Sequence, residues 1–227
     1  MKVHVLTLFP RLFDNFLEES IVGIARGKGL LEVERTDWRD HATDRHRTVD
    51  DRPFGGGPGM VLKPEPVFAA VEDVLARSRQ PGMPLVLLTP QGRRYTQRDA
   101  EWLALQTDWL VLCGRYEAFD QRVHEGFPWQ EISLGSFVLS GGELAAMALI
   151  ESAVRLLPGV LGDEESALQD SFANGLLDHP HWTRPREFRG RAVPDVLLTG
   201  NHEQIAAWRR AQAERRTAAW NKERSEP

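Results

Sequence analysis

Apolar runs alternate along the chain with longer amphipathic stretches, and this alternation predicts an α/β fold. Short apolar runs bounded by turn residues are typical of buried strands, whereas apolar positions three and four residues apart are typical of helices. Strands are predicted at residues 2–8, 31–36, 84–89, 110–113 and 132–139. Helices are predicted from residue 10 to about residue 26 and over 63–80, 93–105 and 143–157. Strands separated by helices favour a mostly parallel sheet.

Two of the predicted strands end in glycine. Gly114 follows the run 110–113, and Gly141 and Gly142 follow the run 132–139. Glycine lets a ligand approach the backbone closely because it has no Cβ, and in open α/β sheets ligands bind at the carboxyl ends of strands. We therefore expect one pocket built mainly from backbone. On the pattern alone, ordinary strand-to-helix turns explain the glycines equally well.

A long polar stretch at residues 37–60 interrupts the alternation. A segment of this length without regular structure is usually either functional or disordered. Its arginines are candidate contacts to phosphate groups, and a flexible linker is the alternative. The stretch contains Arg39, Arg45, Arg47 and Arg52 and ends in Gly55-Gly56-Gly57-Pro58-Gly59.

The C-terminal part of the chain differs in charge from the rest. Residues 161–175 contain four acids and no Lys or Arg, and we interpret them as an interdomain linker. Residues 176–227 contain ten Lys and Arg against seven Asp and Glu, and a helix is predicted over 201–220 with Asn201 as its N-cap. The sequence thus predicts an α/β domain at 1–160, a linker at 161–175 and a small, mildly basic helical domain at 176–227.

Composition narrows the class of protein. A hydrophobic content of 41% with 27% charged residues is typical of a globular chain. No apolar run approaches the ~20 residues that a membrane-spanning helix needs, and the N-terminal run lacks a signal-peptide cleavage site. We therefore expect no membrane association. The single cysteine, Cys113, excludes internal disulfides, fits the reducing cytoplasm and is interpreted as a small core residue.

Several classes of site lack their sequence motifs. The chain contains no G-x-G-x-x-G, no G-x-x-x-x-G-K-[ST] and no G-x-S-x-G, so a Rossmann site, a P-loop and a hydrolase nucleophile elbow are unsupported. His179-x-His181 is a weak zinc signal without cysteine partners, and we predict no metal site there. A net charge of −5 argues against a general nucleic-acid binder.

Seven motifs together indicate a family. The most specific are CGRYE-x-x-D at 113–120 and S-x-G-x-x-VLSGGEL at 133–144. The others are DRHRTVDDRPFGGGPGM (44–60), LTPQGR (88–93), PGVLG (158–162), DSFANGLLDHP (170–180) and VLLTGNH (196–202). In these motifs and their order the chain resembles the bacterial tRNA (guanine-37, N1)-methyltransferases of the SPOUT class, over almost its whole length.

The resemblance implies a fold and an activity. The fold is a SPOUT-type α/β domain whose chain forms a deep trefoil knot around the cofactor strands, with a small helical tRNA-binding domain at its C-terminus. Pattern alone would not predict a knot, because knots are essentially absent from proteins. The implied activity is transfer of a methyl group from S-adenosylmethionine to N1 of guanine 37 in tRNA, next to the anticodon, by a cytoplasmic homodimer.

The resemblance also assigns residues. Cofactor binding falls to Leu88, Pro90, Gly114, Tyr116, Glu117, Leu134, Gly135, Ser136, Phe137, Val138, Leu139, Gly141 and Gly142. Candidate tRNA contacts are Arg45, Arg47, Arg52 and Arg184. Two roles remain open for Glu117, as a partner of the cofactor ammonium group or of a Mg²⁺ ion. The chain has Ala118 and Ala145 where the family usually has glycine and proline, and Phe137 where tyrosine is frequent.

Two residues are assigned to catalysis by the resemblance, Asp170 as general base and Arg155 as a cation acting on the target base. Guanine N1 carries a proton at neutral pH, so a carboxylate that removes it makes N1 nucleophilic. A guanidinium can then stabilise the negative charge that develops on O6. Without the resemblance, Asp170 would be a solvated linker acid and Arg155 a cation at a helix C-terminus.

Two other functions fit parts of the sequence. A non-catalytic RNA-binding relative would keep the arginine-rich stretch and lose Asp170 or Arg155, but both are present. A SPOUT methyltransferase acting on another RNA, at ribosomal RNA or at a ribose hydroxyl, fits the Asp170 motif and the C-terminal domain less well.

Overall fold

The computed structural model describes residues 1–78, 80–162 and 170–225. The chain divides into two compact units, an N-terminal unit at Met1–Gly162 and a C-terminal unit at Asp163–Pro227. Half of the predicted linker, residues 163–169, lies outside the described residues.

The N-terminal unit is built on a five-stranded sheet. In chain order its elements are β1 (Lys2–Thr7), α1 (Asp14–Glu18), α2 (Ser20–Gly27), β2 (Glu32–Asp37), β3 (Asp50–Asp51), β4 (Val61–Leu62), α3 (Pro64–Arg77), β5 (Leu85–Arg94), α4 (Gln97–Ala104), β6 (Asp108–Cys113), β7 (Ala118–Phe119), α5 (Gln121–Gly126), β8 (Gln130–Ser133) and α6 (Glu143–Val154), with 3-10 helices at Pro10–Phe13 and Trp38–His41. The strand order is β2-β1-β6-β5-β8, and all four neighbouring pairs are parallel. The predicted α/β class with a mostly parallel sheet is confirmed.

Both faces of the sheet are buried, as the central strand β6 shows. Trp109, Val111 and Cys113 pack in the apolar cluster that contains α6. Leu110 and Leu112 point to the opposite face and pack in the cluster that contains α3. A strand buried on both faces has a continuous apolar sequence instead of an alternating one, which is why this run was recognisable.

The strand β5 is longer than predicted. It continues through Pro90 to Arg94, where a helix start was expected. The register of β5 against β8 shifts between Leu88 and Arg93. Pro90 lies in this irregular stretch, where its missing backbone N–H breaks no hydrogen bond of the sheet. Gly92 permits this path, because a Cβ there would lie 2.5 Å from the backbone nitrogen of Ile132.

Two predicted helices also have different bounds. The helix α4 starts at Gln97 instead of residue 93, because Thr96 and Asp99 form a capping box in which the Thr96 amide donates to the Asp99 carboxylate at 2.8 Å. The helix expected from residue 10 to 26 is three pieces. Glu19 has an extended backbone and Ser20 has a φ of 53°, which together break it between α1 and α2.

The strand β8 is shorter than predicted, because the apolar run after it is a loop. The strand ends at Ser133, whose hydroxyl donates to the Gly135 carbonyl at 3.1 Å and turns the chain. Phe137 is 56% exposed and Val138 is 82% exposed. Ile132 is fully buried in the core, whereas the end of the run 132–139 lies outside it, although the composition of the whole run is that of a buried strand.

The C-terminal unit contains a short hairpin and a long helix. Its elements are β9 (Glu187–Phe188), β10 (Arg191–Ala192), a 3-10 helix at Asp195–Leu198 and α7 (His202–Ser225). Asn201 caps α7 as predicted, since its side-chain oxygen accepts from the Gln204 amide at 3.1 Å. The helix is held to the preceding chain by the Thr217 hydroxyl, which accepts from the Leu177 amide at 2.8 Å. None of the described helices has the length and apolar content to cross a membrane.

Candidate functional site

A pocket of about 390 Å³ opens at the carboxyl ends of β6 and β8, beside the irregular stretch in the middle of β5. All the residues that the resemblance assigns to the cofactor line it except Ser136. The Ser136 hydroxyl instead accepts a hydrogen bond from Arg94 Nη2 at 3.3 Å. The two glycine-marked strand ends therefore meet in one pocket.

Glycine is needed at this pocket because two stretches of backbone touch there. The Gly142 amide donates to the Gly114 carbonyl at 3.0 Å, and Arg115 forms an antiparallel bridge with Gly141. A Cβ on Gly142 would lie 2.9 Å from the Cα of Cys113. The wall of the pocket is thus backbone packed on backbone, which no larger residue permits.

A buried carboxylate holds together the backbone segments that form this wall. Glu143, 1% exposed, is the first residue of α6. It accepts from the Thr7 hydroxyl at 2.8 Å and from Arg115 Nη2 at 3.0 Å. The Arg115 guanidinium also lies 4.4 Å from the centre of the Phe9 ring. Glu143 therefore joins the end of β1, the loop after β6 and the start of α6. Sequence reasoning missed it, although an acid directly after two glycines at a helix start was a usable signal.

Replacement of Glu143 with glutamine is expected to destabilise the N-terminal unit. The amide keeps the shape and the hydrogen bond from Thr7 but leaves the Arg115 charge without its partner, a loss of about 2 kcal/mol in the free energy of unfolding. Urea denaturation measures it. Glu151→Gln, at an exposed position of α6, is the control and should change stability by less than ~0.5 kcal/mol. Equal stability of the two variants would contradict the anchoring role.

Burial, with a smaller effect of Glu143, keeps the Cys113 thiol protonated. The thiol is fully buried, and burial followed by the negative charge of Glu143 raises its pKa well above the usual value. A protonated thiol is a poor nucleophile. The interpretation of Cys113 as a core residue is therefore confirmed.

A histidine and a glutamate also line the pocket and were not predicted. His124 Nδ1 lies 2.8 Å from a carboxylate oxygen of Glu131. The His124 ring also packs edge-on to Phe119 with 6.5 Å between ring centres. The pair comes from α5 and β8, which are separate in sequence, so the pattern of the chain gave no signal for it.

The glycine-rich end of the stretch 37–60 contacts Glu117, a residue that lines the same pocket. Gly59 has a φ of 79°, and a Cβ there would collide with the Glu117 carboxylate. The Glu117 amide donates to the Met60 carbonyl at 3.1 Å, and β4 pairs with β7 directly beyond. The arginine-rich stretch is thus anchored beside a residue assigned to the cofactor.

The arginine-rich stretch has local order around Asp44. Its carboxylate accepts from the Thr48 hydroxyl at 2.9 Å and from the Thr48 and His46 amides at 2.8 and 3.0 Å. The bonds from Thr48 lower the pKa of Asp44 most. Arg45, Arg47 and Arg52 are all exposed, and Arg47 pairs with Asp40. An organised turn that presents exposed guanidinium groups argues against a simple flexible linker.

Comparison with known proteins decides the family. A model of the family described as tRNA (Guanine-1)-methyltransferase TrmD matches residues 1–226. The chain belongs to this family. It is 55% identical over 220 residues to the tRNA (guanine-N(1)-)-methyltransferase of Rhodopirellula baltica, covering 96% of this chain and 90% of that protein.

Two further relatives carry the same name. The protein of Dehalococcoides mccartyi strain CBDB1 is 54% identical over 217 residues, covering 96% of this chain and 87% of the relative. The protein of Geobacillus kaustophilus is 52% identical over 217 residues, covering 96% of this chain and 88% of the relative. The resemblance drawn from the motifs is confirmed.

The departures from the family pattern are accommodated at the pocket. Ala145 is 6% exposed and lies in the first turn of α6, where alanine is as compatible with the helix as proline. Ala118 is exposed at the start of β7. Phe137 packs against Gly135, where a Cβ would be 2.8 Å from its ring. Ala118 and Ala145 remove no polar group from the pocket, whereas Phe137 lacks the hydroxyl that a tyrosine would place in its lining.

The two residues assigned to catalysis lie in different units. Arg155 follows α6 in the N-terminal unit and is half-buried. Asp170 is the first described residue of the C-terminal unit, also half-buried, and its carbonyl accepts from the Ala173 amide at 3.2 Å. Arg184, assigned to tRNA, is exposed in the C-terminal unit.

Asp178 gives the weak zinc signal of His179-x-His181 a third ligand group. The ligand atoms of the three side chains lie within 4.8 Å of one another, the only such group found among the described residues. His181 Nε2 is 2.7 Å from an Asp178 carboxylate oxygen. Burial would raise the pKa of Asp178, but hydrogen bonds from His181 and the His179 amide outweigh it and lower the pKa. Hydrogen bonds from the His179 amide and the His181 ring to the Asp178 carboxylate hold the three residues together.

Proposed function

We propose that the chain transfers a methyl group from S-adenosylmethionine to N1 of guanine 37 in tRNA. The observation that carries the proposal is the pocket at the glycine-marked strand ends, in a chain that matches the tRNA (Guanine-1)-methyltransferase family over residues 1–226. A pocket built from backbone amides and carbonyls with apolar side chains suits a nucleoside bearing an amino acid, which has polar edges and an apolar ring face.

The residues of this chain supply the rest of the chemistry. S-adenosylmethionine provides a methyl group on a cationic sulfur. The Asp170 carboxylate takes the N1 proton, and the N1 lone pair forms the new bond to the methyl carbon as the carbon–sulfur bond breaks. Arg155 stabilises the negative charge that develops on O6. The sulfur leaves as neutral S-adenosylhomocysteine, so no protein nucleophile is required.

Glu117 is an exposed carboxylate in the lining of the pocket that suits a cation. It is exposed, and it lies against Gly59 at the end of the arginine-rich stretch. A carboxylate there can pair with the ammonium group of the cofactor or take part in binding Mg²⁺, a hard ion that prefers oxygen ligands. Both roles place positive charge between the cofactor pocket and the RNA-binding stretch.

We further infer a homodimer with a trefoil-knotted N-terminal domain at 1–160, a linker at 161–175 and a helical tRNA-binding domain at 176–227. Exposed apolar side chains on packed elements support a second copy: Leu12 is 51%, Ile24 51% and Leu144 63% exposed, on the first 3-10 helix, α2 and α6. In the dimer, Asp170 of the partner subunit would complete the site around Arg155. A tRNA substrate and the free thiol of Cys113 fit a cytoplasmic enzyme.

Identification of the product nucleoside tests the proposal. The protein is incubated with methyl-labelled cofactor and bulk tRNA, the RNA is digested, and the labelled nucleoside is identified. We expect 1-methylguanosine. A 2′-O-methyl product would favour the alternative of a SPOUT enzyme with another target, and no product would favour a non-catalytic RNA-binding protein.

The arginine-rich stretch should contribute phosphate contacts. Replacing Arg45, Arg47 and Arg52 with alanine should weaken tRNA binding and reduce the slope of log affinity against log salt by ~1 for each phosphate that is no longer neutralised. Arg77→Ala on α3 is the control, since Glu34 and Asp73 already neutralise its charge. A triple variant with the wild-type salt slope would show that the stretch has only a structural role.

A further inference from the structure

A second pocket, of about 790 Å³, lies wholly within the C-terminal unit. Cationic, aromatic and aliphatic side chains all line it, including Trp182, Arg184, Arg186, Arg209 and Ile205. Of these residues, only Arg184 is assigned a function by the family resemblance.

Among the described residues, the three arginines of this pocket have no acidic partner. Within the described part of the chain, neither Arg184, Arg186 nor Arg209 forms an ion pair. The neighbouring Arg210, by contrast, pairs with Glu214 at 3.0 Å along the same helix. Guanidinium groups that converge without a carboxylate repel one another and create a positive potential in a concave surface. Such a site suits an anion with several oxygen atoms, such as a phosphate.

The rest of the lining suits a flat apolar group. Trp182 is 45% exposed although it borders the pocket. Leu197, Leu198 and Ile205 add aliphatic surface from the 3-10 helix and α7. Exposed aromatic rings beside arginines are the usual platform for single-stranded nucleic acid, because bases stack on the ring while phosphates meet the cations.

We propose that this pocket binds one unpaired nucleotide of the RNA substrate. Its base lies against Trp182 and the aliphatic surface, and its phosphate lies among Arg184, Arg186 and Arg209. The identity of that RNA as tRNA rests on the proposed function, but the pocket itself does not. The C-terminal unit would then bind a base of the RNA in addition to its phosphate backbone.

Two adjacent arginines provide the main test. Arg209→Ala should weaken binding of full-length protein to tRNA about tenfold and reduce the salt slope by ~1. Arg210→Ala removes the same charge one residue away, outside the pocket lining, and should change the affinity less than about twofold. Fluorescence anisotropy with labelled tRNA at several salt concentrations measures both. Equal losses in the two variants would overturn the proposal, because they would show only a general effect of charge.

Trp182 tests the stacking part. Trp182→Ala should weaken tRNA binding about tenfold or more, whereas Trp182→Phe keeps a ring and should recover most of the affinity. S-adenosylhomocysteine affinity, measured in the same samples, should stay at the wild-type value in every variant. Wild-type tRNA affinity in Trp182→Ala would overturn the proposal, and if that variant does not fold, the arginine comparison decides.

Competition identifies the source of the nucleotide. Guanosine monophosphate at millimolar concentration should displace tRNA only weakly, since a single nucleotide lacks the other contacts of the RNA. Strong displacement in wild type that is lost in Arg209→Ala would overturn an RNA site in favour of a free-nucleotide site. The two proposals can fail separately. If no 1-methylguanosine forms but the arginine and tryptophan variants lose RNA binding as expected, the proposed reaction is refuted and the nucleotide-binding role of this pocket is supported.

Discussion

Asp170→Asn is expected to lose turnover by ~10²–10⁴-fold, the usual contribution of a general base. Asparagine keeps the size and shape of the side chain but cannot accept the N1 proton. The residue is half-buried at the start of the described C-terminal unit, so its replacement should cost little stability. Affinity for S-adenosylhomocysteine should be unchanged, because the pocket lining comes from the middle of β5 and from the ends of β6 and β8.

The measurements are single-turnover methyl transfer, the melting temperature and calorimetry with S-adenosylhomocysteine. Asp195→Asn in the same unit is the control and should retain full activity. If Asp170 acts across a dimer, mixing Asp170→Asn with a variant that cannot bind cofactor should restore part of the activity in the heterodimer. Near wild-type turnover in Asp170→Asn would remove this residue from the mechanism.

Gly142→Val is expected to abolish cofactor binding. The Gly142 Cβ position lies 2.9 Å from the Cα of Cys113, so a branched side chain must push α6 and the end of β6 apart. Its φ of −77° is open to every residue, and the substitution therefore tests space and not backbone strain. Calorimetry with S-adenosylhomocysteine should show no binding heat, and methyl transfer should be lost with it.

Two further variants separate a blocked pocket from a misfolded one. Gly162→Val is the control, since no heavy atom of the described residues lies within 4 Å of a Cβ there. Gly142→Ala carries the same close contact with less bulk and should weaken binding while the fold survives. A folded Gly142→Val variant with wild-type affinity would place the cofactor elsewhere.

Strands that are buried on both faces of the sheet were predicted correctly from the sequence. Residues of β6 are apolar on both faces because helices cover both, and this leaves a continuous apolar run. The run 132–139 has the same composition, but most of it is a loop that borders the pocket. The pattern of apolar residues alone does not distinguish such a loop from a buried strand. Pro90 led to the opposite error, since the strand was predicted to end before it. The strand continues because a register shift between β5 and β8 leaves no ladder hydrogen bond for Pro90 to donate.

The site was predictable only in part. Glycines at two strand ends indicated a backbone pocket, since they reflect a local steric need. An acid at a helix start was a signal for Glu143, but its partners Thr7 and Arg115 are brought to it only by the fold. The pairing of His124 with Glu131 likewise depends on the fold. The catalytic assignment of Asp170 came from the resemblance alone, because a half-buried acid has no local signature.

Position-specific methylation provides the most direct test of the proposed reaction. A tRNA transcript with guanosine at position 37 is compared with one that differs only by adenosine at that position, and the modified site is mapped by primer extension. We predict 1-methylguanosine at position 37 of the first transcript and no methylation of the second. Equal methylation of both transcripts, or a product at another position, would contradict the proposed function.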